Sequence, residues 1–222
     1  MAITEVIKYE GDNSTFIWKH PCEDFNTTSQ LIVHESQEAI FFMNGQALDL
    51  FGPGRYTLET QNIPLLKKFT NIPTDGKTPF HCEVYFINKT EQMAIKWGTD
   101  SKVQYIEPTY RFPLSIGASG EMSLSVSDSR KLLINLVGTE RVLERNQLTN
   151  FFRAFLMTKV KTYIAQEMRS SAISIFEIDE QLESFSDAIK SKLEDDFLNY
   201  GVNLKRFFVT VIVKPDGDPQ YE

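Results

Sequence analysis

Apolar and polar positions alternate in short bursts through the first two thirds of the chain, and turn-forming residues close each burst. Residues 39–43 and 46–51 flank Asn44-Gly45, and Asn-Gly supplies the two positive-φ residues of a type I′ turn, whose twist suits paired strands. A β-hairpin is predicted there. Gly52-Pro53-Gly54 then breaks the chain before the alternating segment 55–59, and a helical turn is expected over 63–69. Phe80, Cys82, Val84 and Phe86 share one side of a strand, opposite His81, Glu83 and Tyr85. Met93, Ile95 and Trp97 repeat the period of two, as do Met122, Leu124 and Val126. A largely antiparallel sheet with one buried face is the expectation.

The period lengthens after Ser127-Asp128-Ser129, polar residues suited to capping a helix. Leu132, Leu133, Leu136 and Val137 form a stripe that stops at Gly138, a helix-ending residue. Leu148, Phe151, Phe152, Phe155, Val160, Tyr163 and Ile164 keep helical spacing over several turns. A third stripe, Ile178, Leu182, Phe185, Ile189, Leu193, Phe197 and Tyr200, ends at Gly201 and belongs to the most acidic helix, whose outer face must be solvated. Residues 202–213 return as a strand with apolar residues at nearly every position, the pattern of a strand covered by helices on one face and by the sheet edge on the other. Strands, then helices, then a returning strand predict an α+β fold. We read residues 1–15 as an N-terminal extension, 16–213 as a single domain, and 214–222, with Pro215-Asp216-Gly217, as a flexible tail or the start of a linker.

Composition narrows the partners. With 41% hydrophobic residues, 17 of them Phe, the 222-residue chain can fill a sizeable core, which excludes a disordered or collagen-like chain. Its 23 basic against 30 acidic residues leave a net charge of -7. Basic runs such as Lys67-Lys68 and Lys205-Arg206 reach only two residues, too short to neutralise a phosphate backbone, so no nucleic acid partner is expected. Cys22 and Cys82 allow at most one disulfide, which favours a reduced, cytoplasmic compartment. The first eight residues carry an early acid and lack the charged start and apolar core of an export signal; the three Asn-x-Ser/Thr triplets are accordingly read as chance. No run approaches the roughly 18 apolar residues that cross a bilayer.

Candidate chemistry is sparse. The chain has no Gly-x-Ser-x-Gly elbow, no phosphate-cradling glycine loop and no zinc-binding His-Glu-x-x-His, and it has three His in all. His20 with Cys22 and His81 with Cys82 offer two pairs of zinc ligands, but strand neighbours point to opposite faces; a buried Cys82 and a surface His81 is the favoured reading. We expect no catalytic residue, metal or cofactor. Glu140, Arg141, Glu144 and Arg145 read as a solvated helix end rather than a partner surface. The stripe Leu182, Phe185, Ile189, Leu193 and Phe197 has two uses open to it, an oligomer seam or packing against the sheet, and its drifting heptad spacing favours the second. Phe16, Ile17 and Trp18, beside Lys19, form either a lipid or partner contact or an edge strand packed on the sheet, and the strand is favoured.

Longer strings carry a family likeness. Residues 29–42, from Ser29-Gln30-Leu31-Ile32-Val33 to Ile40-Phe41-Phe42, followed by Gly45 and by Phe51-Gly52-Pro53-Gly54-Arg55-Tyr56-Thr57-Leu58, resemble the opening of an SPFH (Band 7) domain, that of the stomatin, prohibitin and flotillin superfamily. Thr60-Gln61-Asn62-Ile63-Pro64, Thr78-Pro79-Phe80, Val84-Tyr85-Phe86-Ile87-Asn88 and Lys96-Trp97-Gly98-Thr99 resemble its bacterial cytoplasmic, virion-core-protein-like branch. Residues 128–139 and Tyr200-Gly201-Val202 are similar to the superfamily's helical half and ending. The likeness runs from residue 16 to residue 213. It implies an α+β domain that assembles into homo-oligomers at membranes, without catalytic residues. It also implies a non-enzymatic scaffold at the cytoplasmic face, peripherally associated, that organises membrane or stress-response partners. This branch lacks the membrane hairpin of stomatin-like relatives, and related proteins resemble partners of a membrane-stress system recruited through another protein. The net charge of -7 favours such a protein recruiter over simple attraction to anionic lipid. The alternative is an enzyme or small-ligand binder using a cleft between sheet and helices; a virion structural protein is suggested by the branch label alone.

Overall fold

The computed structural model describes residues 5–13, 15–26, 28–59, 62–68, 80–137, 142–219 and 221. In chain order the first strands are β1 (Val6–Ile7), β2 (Thr15–Lys19), β3 (Asp24–Phe25), β4 (Gln30–Val33), β5 (Gln37–Met43), β6 (Gln46–Phe51) and β7 (Gly54–Thr57), followed by helix α1 (Pro64–Lys67). Then come β8 (Phe80–His81), β9 (Glu83–Asn88), β10 (Gln92–Gly98), β11 (Val103–Ile106), β12 (Pro113–Val126) and α2 (Ser129–Leu132). The chain continues through β13 (Val142–Glu144), α3 (Arg145–Ser170) and α4 (Leu182–Leu198) to β14 (Val202–Val213). This is the α+β order expected. Contacts divide the chain into two units, residues 1–90 with 126–148, and residues 91–125 with 149–222.

The first unit is built on a five-stranded sheet in the order β13-β2-β9-β5-β6. The hairpin β5–β6 forms where Asn44-Gly45 demands it, with φ of 52° and 76° at the two turn residues and Met43 opposite Gln46. Strand β9 departs from the expectation of one buried face. Tyr85 and Ile87 are as buried as Val84 and Phe86, because β9 lies inside the sheet with both its sides covered. A second, three-stranded sheet sets β4 between β1 and β7. Strand β1 runs parallel to β4, and Ile7 is fully buried, so the stretch expected as an extension contributes to this core. Asp128 caps α2 as the sequence suggests, accepting from the Lys131 amide at 3.0 Å. Beyond it Leu133–Val137 is a π-helical turn; the expected stop at Gly138 lies outside the described residues, as do Phe69, Glu140 and Arg141.

In the second unit the long β12 is the organiser. It pairs antiparallel with β10 through residues 119–124 and with β11 through residues 113–116, and β14 pairs with it as well. The expected alternation in β10 is broken by a register shift between Gln92 and Ile95, with Ala94 at a φ of 55°. Helix α3 has 26 residues. It buries Phe152, Leu156, Val160, Ile164 and Met168 at a spacing of four, while Phe151 is 39% exposed and Phe155 half-buried. The next helix begins later than its stripe suggested: residues 178–180 form a 3₁₀ turn, and α4 proper starts at Leu182. Helix α4 packs against β14 and is tied to it by Ser186, whose Oγ donates to the Leu182 carbonyl at 2.6 Å and accepts the Val209 amide at 2.9 Å.

Candidate functional site

The two apolar sets singled out in the sequence are interior. Phe16 and Ile17 are buried, and the expected edge strand is not at an edge, because β13 pairs with β2 on the side away from β9. Trp18 is half-buried against the Tyr9 and Phe86 rings, with centroids 4.8 and 5.9 Å away. These three residues are thus held among strands and do not offer a lipid-dipping patch. Phe185, Ile189, Leu193 and Phe197 are also buried, with Leu182 half-buried, in packing against β14 and α3. Phe197 stacks on Phe152 at 5.5 Å and 23°. An oligomer seam along this stripe would require pulling α4 off its own unit.

His81 is exposed and Cys82 buried. Burial pushes the Cys82 thiol well above its ordinary pKa, with the carboxylate of Asp49 adding to the shift, so it is a poor nucleophile and a poor metal ligand. His81 instead faces Asp24 and Glu23 at 3.2 and 3.5 Å. Nearby, Lys19 sits between Glu23 and Glu83, 2.5 Å from each. Burial opposes its charge, and the hydrogen bonds to the two carboxylates outweigh that and raise its pKa. Among the described residues no cluster of three or more His, Cys, Asp and Glu is placed to hold a metal ion, and no helix is long and apolar enough to cross a membrane.

Two surface features of the second unit were not singled out in the sequence. The first is the outward side of β14. Strand residues 202, 204, 207, 209 and 212 are buried, and the alternation skips twice, at Lys205-Arg206 and Thr210-Val211, where consecutive residues face out. Phe208, Val211 and Val213 are about half exposed. The expectation that both faces of this strand are covered is corrected, since α4 covers one and the other is open. The second is a cleft of about 680 Å³ between β11 and α3. Lys161, Thr162, Ala165, Gln166 and Arg169 of α3 line it, at the spacing of one helical face offset from the buried stripe. The facing wall is the segment from Ser101 to Ile106. Lys161 bonds Asp100 at 2.8 Å and Ser101 at 3.0 Å, which fixes the mouth of the cleft. The one sequence signal for it was the polar second face of α3.

An α+β domain with this strand-rich first half, helical second half and closing strand defines the class, and a family model agrees. The model of the SPFH domain-Band 7 family matches residues 17–218, and the chain belongs to that family. Proteins of this family are generally non-enzymatic scaffolds that oligomerise and associate with membranes. No curated protein matches the chain.

Proposed function

We propose that the protein is a non-enzymatic scaffold that forms homo-oligomers at the cytoplasmic face of a membrane and organises membrane or stress-response partners there. A membrane-associated protein recruits it, since its net charge of -7 opposes general attraction to anionic lipid. The observation that carries this reading, beside the family, is the outward face of β14. A twelve-residue strand that pairs with β12, and with no other strand among the described residues, while exposing Phe208, Val211 and Val213, is a template for association.

Light scattering on size-separated protein tests the reading directly. Wild type is expected to show a mass several times that of one chain, falling toward the monomer in a Phe208→Glu/Val211→Lys variant that keeps its melting temperature. A monomer at every wild-type concentration would sink the proposal.

A further inference from the structure

We propose that the cleft between β11 and α3 binds an organic phosphate carrying an apolar portion, with Lys102 and Arg169 holding the phosphate and Ile106 lying along the apolar part. This goes beyond the scaffold reading and does not require it.

Charge is the first argument. The chain carries seven more acids than bases, yet the residues lining this cleft include Lys102, Lys161 and Arg169 and no carboxylate. Asp100 pairs with Lys161 at 2.8 Å. Among the described residues Lys102 and Arg169 have no ion-pair partner, and both are exposed. Two unpaired cations on facing walls of one cleft are complementary to a multiply charged anion, and a guanidinium beside an ammonium suits phosphate oxygens better than a single carboxylate.

Tyr105 supplies an independent observation. It lines the same cleft, is only 6% exposed, and its hydroxyl has no hydrogen-bond partner among the described residues. Buried polar groups in folded proteins are normally paired. Burial, then the nearby Glu107 carboxylate, raises the Tyr105 pKa, so the hydroxyl stays protonated and able to donate.

Size and polarity define the rest of the ligand. A volume of about 680 Å³ falls in the range of organic ligand sites and is far more than inorganic phosphate needs. Ile106, on the wall opposite α3, is 59% exposed, an apolar surface beside the cations. Phosphate esters with an apolar part are found both as soluble metabolites and as lipid headgroups, and the two sources share this chemistry.

The experiment uses the full chain with two phosphate probes and one control: soluble n-butyl phosphate by calorimetry, and flotation with vesicles of phosphatidic acid in phosphatidylcholine or of phosphatidylcholine alone. Wild type is expected to bind at least one phosphate probe and not the neutral vesicles. Binding of the soluble ester assigns a metabolite, and binding of the anionic vesicles alone assigns a headgroup. Lys102→Gln/Arg169→Gln should weaken the interaction by about tenfold or more with an unchanged melting curve. Tyr105→Phe, which removes only the hydroxyl, should weaken it less. No binding of either phosphate probe by wild type, or affinity retained by the double variant, would overturn the proposal. Neither result bears on light-scattering mass, so the scaffold reading stands or falls separately.

Discussion

A Cβ placed on Gly120 would overlap the backbone carbonyl of Phe208, so β12 and β14 approach more closely there than any side chain allows. The Trp97 ring closes the same spot, 3.0 Å from that position, and stacks on Phe207 with centroids 5.1 Å apart and planes 9° from parallel. The strand that carries the proposed assembly face is thus seated through a glycine.

Gly120→Ala should therefore destabilise the protein by about 2 kcal/mol, since backbone rather than a flexible side chain must yield, lowering the melting temperature by roughly 4–8 °C. Gly117→Ala meets the Val213 Cβ at 3.3 Å and has a side chain to push aside, so its effect should be smaller. Equal melting curves for wild type and Gly120→Ala would refute the close approach.

Asp49 is the support of α1. Its two carboxylate oxygens accept the Leu65 and Leu66 amides at 3.1 and 2.8 Å, and the residue is buried. Asp49→Ala should cost about 1–2 kcal/mol, as loss of a helix-capping acceptor does. Hydrogen exchange provides the local check: the Leu65 and Leu66 amides should lose protection in the variant before the β5–β9 amides do.

Glu167 links α3 to α4 and predicts acid sensitivity. Lys192 bonds it at 2.6 Å, and Ser171 donates to its other oxygen. The Lys192 hydrogen bond, then that of Ser171, holds the carboxyl below its ordinary value of 4.5. A depressed pKa in the folded state means its stabilisation is complete above that ordinary value and is lost as pH falls through the folded value. Glu167→Gln should lose about 1–3 kcal/mol near neutrality, and its gap to wild type in denaturant titrations should narrow as pH falls below 4.5. A constant gap down to pH 2.5 would contradict this.

The two thiols should differ in reactivity. Burial raises both pKa values, but Cys22 is half-buried and Cys82 is 1% exposed. Iodoacetamide at pH 8 should add slowly to Cys22 alone in the native protein and to both in denaturant, read by intact mass. Double labelling without denaturant would show that the β9 region opens.

The local features were legible because local rules set them. Asn44-Gly45 fixes a hairpin wherever two strands flank it, Asp128 caps a helix through its own backbone neighbours, and period-two or period-four spacing declares strand or helix without reference to the rest of the chain. The order of elements, and hence the α+β class, follows from these.

What each apolar face meets was decided only in three dimensions. Phe16 and Ile17 have the pattern of an edge strand, yet residues 142–144 return to pair beside them and enclose them. The α4 stripe leaves a seam and a core both open, with its drifting heptad spacing favouring the core; packing on β14 uses it up and leaves Phe208, Val211 and Val213 on the open side. Lys102 and Arg169 belong to different elements, and no periodicity connects them. Pattern along a chain records which residues share a face, whereas strand order and helix docking, which join distant segments, determine what that face touches.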